Sequence, residues 1–591
     1  MSSELRVASY ELGGRRWLVI LFAALVCAAI YLPTLRYQFV WDDEQLVTAN
    51  YRLEVANPLP LFGQDFMPQS HGSVATRVHY YRPLTVLSFW LDRHIWGQNP
   101  FGYHLTNVLL NALALVLLGL LLVRLAGRTQ IWPVLLGIAV FGLHPARVES
   151  VAFISGRTDL LATVFVLLCL LSLWRYARSG RWPWLGAATA AAAAAMLAKE
   201  TAVLLPVLVV AMLFLPGFGA RARNRLAVIL PAAAVLACLV LRWLVLGSAA
   251  LPAGSAGVVQ RLLLFLNALG RYGQLAVFPF THRLLYPDRP AFAAFNWPTV
   301  VGFLLLLSLP LLAWRFRGRA PGFGAAWFLL FILPASNLFA IGDTFLAERL
   351  LCLPLAGLAI IVLSVDRVRF GSARNLIMVL LFAYVGLLAS DTLHRASVWC
   401  DPVTLFRTMV RESPGSADAH LNLGAALLRQ ENDAGGAEAE FRMALALQPG
   451  HAVAHNDLGD ILRKRGQLDS AGQEYRAAIR QDPGYAEAHG NLGIVLLRAG
   501  QPDSAFDQLR LARALNPDLA PVYVNLGNCF VARGQPDSAL RSFWTAIRLQ
   551  PDRPEAYINL SRLYTVLGKP DSAELVSRML QQRHAPSSGR E

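Results

Sequence analysis

The first residues in this chain able to do chemistry are neighbouring carboxylates. Trp41-Asp42-Asp43-Glu44 follows directly on an apolar run. Carboxylates this close beside a low-dielectric region repel each other, which predicts a raised pKa for either Asp42 or Asp43. A carboxylate in that state can take the proton of a hydroxyl as a general base. The pair could also hold a divalent metal, although two carboxylates alone do not establish one. The bland alternative is a solvated loop start, where Asp is common.

Further ionisable groups lie near other apolar runs. Residues 79–107, HYYRPLTVLSFWLDRHIWGQNPFGYHLTN, carry His79, Arg82, His94 and His104 among many aromatics. Residues 144–159, HPARVESVAFISGRTD, carry His144, Arg147, Glu149, Arg157 and Asp159, and two more pairs are Lys199–Glu200 and Glu348–Arg349. Charges at membrane depth cost several kcal/mol unless paired or wet, so they mark functional sites by default. Arg82, Arg157, Lys199 and Arg349 could neutralise the phosphate of a lipid-linked donor. His104, His144, Glu149, Asp159, Glu200 and Glu348 are the remaining active-site candidates. Taken singly, each has a structural explanation: Glu348–Arg349 as a local ion pair, Arg157 or Lys199 as a snorkelling cation. No P-loop, GxSxG or HExxH motif competes.

The composition says what must position these groups. Of 591 residues 55% are hydrophobic and only 15% charged, against about 25% charged in a soluble domain. This is a membrane protein of more than one domain. With 14 Trp, 30 Phe and 16 Tyr it is not disordered. The net charge is +15, but the arginines fall between apolar runs, which excludes nucleic acid as the partner. The six cysteines form no zinc or disulfide pattern and read as structural.

Apolar runs at 17–35, 103–123, 131–144, 151–174, 183–198, 202–216, 226–247, 299–314, 323–341, 350–365 and 375–393 predict about eleven spans. Alternate connections carry arginine clusters: Arg6, Arg15 and Arg16; Arg124 and Arg128; Arg175, Arg178 and Arg181; Arg221, Arg223 and Arg225; Arg315, Arg317 and Arg319; Arg367, Arg369 and Arg374. The positive-inside rule puts these, and the N-terminus, in the cytoplasm. The acidic pair and the C-terminal half then face the opposite side. Residues 261–280 are apolar enough to span, but a crossing there would invert Arg315–Arg319, so they read as interfacial or re-entrant. The first run reads as a retained anchor and not a cleaved signal. An arginine bias, with lysine only at 199, 464 and 569, points to a bacterial inner membrane with the C-terminal half periplasmic.

That half has a period. Leu423–Gly424, Leu458–Gly459, Leu492–Gly493, Leu526–Gly527 and Leu560–Ser561 recur at steps of 35, 34, 34 and 34. Pro449, Pro483, Pro517 and Pro551 close the second helix of four units. These are five tetratricopeptide repeats, each burying its apolar face on its neighbour to make a curved solenoid. Just before each Leu-Gly mark stands Asn422, Asp457, Asn491, Asn525 or Asn559. Such a row can pair with an extended polypeptide backbone whatever its sequence. It resembles the asparagine ladder of the soluble O-linked N-acetylglucosamine transferases, with Asp457 breaking the row.

The motif set Trp41-Asp42-Asp43, Tyr81-Arg82-Pro83-Leu84, Gly102-Tyr103-His104-Leu105-Thr106-Asn107, His144-Pro145, Gly156-Arg157-Thr158-Asp159, Lys199-Glu200 and Ala347-Glu348-Arg349 resembles the transmembrane-and-tetratricopeptide-repeat protein O-mannosyltransferases of the animal endoplasmic reticulum and their bacterial relatives. The resemblance implies a GT-C glycosyltransferase fold, a polyprenyl-phosphate sugar donor and inverting transfer to an acceptor outside the cytoplasm. It makes Asp42 or Asp43 the base without saying which. Cys352 stands where the family would lead one to expect tyrosine, and the repeat array is short.

The expected architecture is all-α: a multi-spanning GT-C-like domain over 1–398, a linker over 399–415, repeats over 416–586 and a tail over 587–591. The expected function is transfer of a sugar, mannose by the resemblance, to Ser/Thr hydroxyls of exported polypeptides held by the repeats. The alternatives are a non-catalytic anchored scaffold for periplasmic partners, a transferase acting on a lipid or glycan, and a transporter for a polyprenyl-linked sugar. Scaffolding needs one or two spans only. Transport predicts midplane charges and often an internal repeat, whereas these polar groups gather at one interface.

Overall fold

The computed structural model describes residues 16–66, 80–127, 131–216, 218, 225–247, 258–281, 283–286, 296–336, 346–365 and 374–584. Among these residues every regular element is helical, and the chain divides into two compact units that part at Ser413–Pro414. His79, the tail over 587–591, and Arg6, Arg15, Arg128, Arg221, Arg223, Arg367 and Arg369 lie outside the described residues.

In the first unit five helices are long and apolar enough to cross a membrane: Pro100–Ala126, Ile154–Ser179, Leu226–Leu246, Trp297–Arg315 and Asn375–Ser397. A bent pair, Trp132–Gly142 and Pro145–Ala152, meets at 54° and raises the number to six. About eleven were expected. The difference lies in apolar runs whose helices are short. The runs at 131–144, 183–198 and 202–216 give helices of only 11, 17 and 8 residues, Trp132–Gly142, Trp182–Ala198 and Leu205–Met212, and Lys199 between the last two is in extended backbone. The runs at 17–35 and 323–341 give only the helices Arg16–Ala29 and Ala320–Ile332. Residues 261–280 fall largely in the helix Val258–Val277, which is not among the five.

The long helices differ in what surrounds them. Ile154–Ser179 is 83% buried over its apolar window and Pro100–Ala126 is 56% buried, so they form the centre of the unit. Leu226–Leu246, Trp297–Arg315 and Asn375–Ser397 are only 17%, 17% and 11% buried and present apolar side chains outward, as helices against lipid do. Close backbone approaches tie the periphery together. A Cβ on Gly302 would sit 1.8 Å from the Leu266 carbonyl oxygen, and one on Gly270 would sit 1.8 Å from that of Pro298.

The segment expected as a linker is not open chain. Pro402–Glu412 is a helix capped by Asp401, whose side chain accepts from the Thr404 amide. Its Glu412 pairs with Arg395 at 3.0 Å and accepts from the Leu284 amide at 2.8 Å. An amphipathic helix such as this buries its apolar stripe in the unit it belongs to, here with Leu405 and Met409 fully buried.

In the second unit the five repeats are the helix pairs Ala417–Ala426 with Ala434–Leu447, Ala452–Lys464 with Leu468–Gln481, Ala486–Arg498 with Pro502–Leu515, Ala520–Ala532 with Pro536–Leu549, and Pro554–Val566 with Pro570–His584. The Leu-Gly mark has a packing cause. Cβ atoms on Gly424, Gly459, Gly493 and Gly527 would stand 2.4–2.8 Å from Phe441, Tyr475, Leu509 and Phe543 of the second helix. A second recurrent contact closes four of the five repeats. Nε2 of His420, His455 and His489, and the Tyr557 hydroxyl, reach the carbonyl oxygens of Pro414, Pro449, Pro483 and Pro551, each six residues earlier.

The one 35-residue step also has a structural cause. Later turns use Gly466, Gly500, Gly534 and Gly568 at positive φ, and the first repeat uses Asn432 at φ 52°. From the Leu mark to this turn is nine residues in the first repeat and eight in the others. The additional residue is absorbed in a π turn, Leu427–Glu431, which holds one residue more than an α turn.

The glycine contacts give a stability test. Gly302→Leu drives a side chain into backbone, so it should cost about 3 kcal/mol or more, whereas Gly386→Ala, with nothing within 4 Å of its new Cβ, should be neutral or slightly stabilising. Thermal denaturation of the two variants in detergent measures the difference; equal midpoints would refute the packing argument.

Candidate active site

Trp41 sets the geometry of the acidic pair. It is a non-glycine residue at φ 54°, a conformation costing of order 1–3 kcal/mol that persists only when its surroundings enforce it. The surroundings are aromatic. Its ring stacks on Phe153 at 6.1 Å and on Trp399 at 6.4 Å, with Phe406 edge-on at 6.2 Å. The next two residues then enter a helical turn that runs into a π turn, Glu44–Thr48, and their carboxylates have different environments.

Asp43 is wholly buried. Its Oδ1 accepts from the Ser155 amide at 2.9 Å and the Ser155 hydroxyl at 2.6 Å, and Oδ2 accepts from the Val40 amide at 3.2 Å. Burial pushes its pKa up to about 7, against the pull of those bonds, and Asp42 adds a small rise. Asp42 stays partly exposed, and its carboxylate, unlike its backbone carbonyl, accepts no hydrogen bond among the described residues. Its pKa is also raised, by burial first, with Arg349 opposing and Glu149 adding. Repulsion within the pair, the cause expected from sequence, is thus secondary to desolvation.

Arg349 is held by Glu149. One carboxylate oxygen takes the guanidinium at 2.7 Å and the other takes the Arg349 amide at 3.2 Å. Its side chain remains 31% exposed. Asp42 and Asp159 act on it electrostatically, so it joins the acidic pair to a second ion pair, Lys199–Asp159 at 2.5 Å, which is almost fully buried. Lys199 in turn is subject to the charges of Arg82 and Arg349. Arg82 forms two bonds to Glu200, at 3.0 and 2.5 Å, and its guanidinium lies 4.3 Å from the Tyr80 ring centre and 5.2 Å from that of Phe66. Three cations and four carboxylates therefore share one locality: Arg82, Lys199 and Arg349 with Asp42, Glu149, Asp159 and Glu200.

Other expected site residues border this cluster without joining its ion pairs, with Arg157 feeling the charge of Asp43 and Glu348 that of Glu149. Arg157 is completely buried, paired with Asp92 at 2.6 Å and bonded to Asn107 at 2.8 Å, to the Tyr103 carbonyl at 2.8 Å and to Ser88 at 3.3 Å. A guanidinium with this many protein partners braces the fold, and a phosphate would have to displace them. His144 caps the turn Pro145–Arg147 through Nδ1, with Nε2 3.3 Å from the Ala276 carbonyl oxygen. His104 is buried with its ring edge-on to Tyr37 at 6.2 Å. Glu348 is buried among Arg395, Tyr286 and the Arg283 amide, and burial pushes its pKa up to about 7 despite Arg395. Sequence reasoning missed Ser155, Asn107, Asp92 and Tyr80. All four stand inside the quoted motif segments, but only the partners reveal their use.

No metal centre is built among the described residues: no group of three or more His, Cys, Asp or Glu side chains gathers around a common point. At the pair itself, N–H and O–H donors occupy both Asp43 oxygens.

In the repeats the expected row is half-buried, on the first helix of each pair. Asn491 donates to Asn456 at 3.0 Å and Asn559 to Asn528 at 3.1 Å, linking adjacent repeats, while Asn525 donates to the Pro521 carbonyl. Asp457 accepts from Asn456 at 3.2 Å, and burial pushes its pKa up to about 6. Asn422 stands at the same repeat position in the first pair.

Residues 90–245 match the family model described as dolichyl-phosphate-mannose-protein mannosyltransferase, and residues 403–452, 459–500 and 524–588 match tetratricopeptide-repeat models. Protein O-mannosyl-transferase Tmtc1 of Drosophila melanogaster is 40% identical over 185 residues, which cover 29% of this chain and 20% of that protein. Protein O-mannosyl-transferase F38B6.6 of Caenorhabditis elegans is 25% identical over 436 residues, 70% of this chain and 60% of the relative. The chain thus spans from a fifth to three fifths of these relatives. Among solved structures, the tetratricopeptide-repeat protein YrrB, with an unusual peptide-binding site, is 22% identical, with a TM-score of 0.25 over 31% of this chain and 93% of its own. With the mannosyltransferase model over its buried helices and the repeat models beyond them, the chain is similar over these stretches to the TMTC-type protein O-mannosyl-transferases.

Proposed function

We propose that this chain is a GT-C-type membrane glycosyltransferase that moves mannose from a polyprenyl-phosphate donor to Ser or Thr hydroxyls of exported polypeptides, on the periplasmic side of a bacterial inner membrane. The observation that carries the reading is the unequal acidic pair: Asp43 is locked by Ser155 and Val40, which leaves Asp42 partly exposed, raised in pKa and within electrostatic reach of Arg349. A carboxylate with a raised pKa is the stronger base once ionised. The names of its relatives, protein O-mannosyl-transferases, support mannose and a polypeptide acceptor.

In the proposed reaction Asp42 takes the acceptor hydroxyl proton as that oxygen bonds to the anomeric carbon of mannose. The bond from that carbon to the phosphate oxygen breaks on the opposite face. Its electron pair leaves with the polyprenyl phosphate, giving inversion. Arg349 is the most exposed of the three clustered cations and meets the leaving charge first. Arg82 and Lys199 back it electrostatically, while Arg157 acts through the fold. No step needs a metal. The asparagine row would hold the acceptor backbone through amide groups that still have bonding capacity.

The deciding experiment uses purified chain in proteoliposomes with polyprenyl-phosphate-mannose and a Ser/Thr peptide. Asp42→Asn should lower transfer about 10³-fold or more with unchanged thermal stability. Asp43→Asn and Ser155→Ala should lower the melting temperature along with activity. If Asp42→Asn retains transfer and Asp43→Asn abolishes it without loss of stability, the assignment of roles is reversed. Wild type without transfer to any Ser/Thr peptide would sink protein O-mannosylation.

The pH dependence has a definite sign. Asp42 must be ionised, and its pKa lies above the ordinary carboxylate range. The rate at saturating donor should therefore fall as pH is lowered through that raised value, with a slope of one proton, and the acid limb should vanish in Asp42→Asn. An acid limb at the ordinary carboxylate value would contradict the environment described for Asp42. For the acceptor, Asn422→Ala with Asn525→Ala should raise KM for peptide several-fold and leave kcat near wild type. An unchanged KM would remove the row from acceptor binding.

A further inference from the structure

The repeats carry a second feature, away from the asparagine row. Between the second helix of the fourth repeat and the first helix of the fifth lies a depression of about 430 Å³ lined by Leu540, Arg541, Trp544, Thr545, Arg548 and Tyr564. Trp544 is 38% exposed. Its indole Nε1–H donates to the Tyr564 hydroxyl at 3.4 Å, which fixes the ring instead of leaving it to swing in solvent. Arg541 stands three residues before Trp544 and Arg548 four after, so both lie on the same helical face, one turn to either side. No carboxylate lines the depression. Arg541 donates to the Ser538 hydroxyl at 3.0 Å, and among the described residues neither arginine has an ion-pair partner.

The chain's own register shows that this is not the repeat pattern. At the position of Trp544 the first three repeats have Arg442, Arg476 and Arg510. At the position of Arg541 they have Ala439, Gln473 and Asp507, and at that of Arg548 they have Ala446, Arg480 and Ala514. Tyr564 occupies a place held by Leu427, Leu462, Leu496 and Phe530. Solenoid packing is satisfied by those other residues, so the Trp–Tyr pair with its two flanking guanidiniums is an addition that the fold does not need.

We propose that this depression docks an acidic peptide segment carrying one bulky apolar side chain, at a site separate from both the asparagine row and the acidic pair. Trp544 and Leu540 take the apolar group, and Arg541 and Arg548 take a carboxylate on each side. The two arginines are seven residues apart, about 10 Å along the helix. A peptide in the polyproline II conformation advances about 3.1 Å per residue with three residues per turn, so carboxylates three positions apart fall on one side about 9 Å from each other, with the apolar residue between, and match that spacing. Charge-assisted bonds from arginine to carboxylate supply the specificity, and the exposed indole face supplies a central anchor of the kind that dominates small interfaces.

The test uses full-length chain in zwitterionic nanodiscs and a fluorescein-labelled peptide with the core Glu-Leu-Phe-Glu and no Ser or Thr, read by anisotropy. The Gln-Leu-Phe-Gln peptide is the control. Wild type should bind the acidic peptide at least 10-fold more tightly than the control, and added salt should weaken binding. The double variant Arg541→Glu/Arg548→Glu should lose that preference and instead favour Lys-Leu-Phe-Lys, with an unchanged melting temperature; Trp544→Ala should weaken all three peptides. Asp42→Asn should bind like wild type, so docking and transfer can fail independently. Equal binding by wild type and the charge-reversed variant overturns the proposal. So does binding of an anionic oligosaccharide in place of the peptide.

Discussion

The hydrogen bonds from Ser155 to Asp43 hold together what the site depends on. They join the segment after the first helix to the entrance of the most buried long helix, residues more than a hundred positions apart in the chain. A carboxylate without water is tolerated only when its oxygens are met by donors, and here the backbone and hydroxyl of one serine supply most of them. That junction places Asp42, and it depends on Trp41 remaining in a backbone conformation its neighbours impose. Stacking of Trp41 on Phe153 and Trp399 draws residues from three distant stretches into one contact. Weakening any of them would be felt first in the direction of the Asp42 carboxylate.

Charge pairing sorts the remaining polar groups into two kinds. Arg157 and Glu348 are surrounded by protein partners on every side, and they brace helices. Arg349 is gripped by Glu149 from one side and stays open on another. A site that must bind a phosphate and then release it needs cations of the second kind, oriented by a neighbouring carboxylate yet still able to exchange partners. Arg82 with Glu200 and Lys199 with Asp159 are closer to the first kind, being less exposed.

The repeats were legible because their rule is local. The Leu-Gly mark, the prolines and the turn glycines each report a contact within about 35 residues, and periodicity multiplies the signal. The acidic pair was legible as a pair only. Asp42 and Asp43 have the same chemistry and the same sequence context, and what separates them is the left-handed Trp41 together with Ser155. Arg157 read as a phosphate ligand because nothing in its vicinity names Asp92 or Asn107 as partners. The count of about eleven spans is not confirmed among the described residues because hydropathy alone does not give helix length: the runs at 183–198 and 202–216 yield helices of 17 and 8 residues, Trp182–Ala198 and Leu205–Met212. The short helix Pro402–Glu412 escaped for the opposite reason: its apolar stripe is narrow, and its polar face gives it the average composition of a loop.

The π turn at Leu427–Glu431 has a consequence for the array as a whole. An inserted residue that lengthened a connecting turn would rotate every later repeat about the solenoid axis. Swallowed inside a helix, it widens one turn locally, and the left-handed residue that follows, Asn432, resumes the phase that Gly466 and its successors keep. The array thus has a place where its length in residues can change while its course in space does not. A solenoid with such a joint can gain or lose single residues over evolutionary time without its inner surface losing alignment.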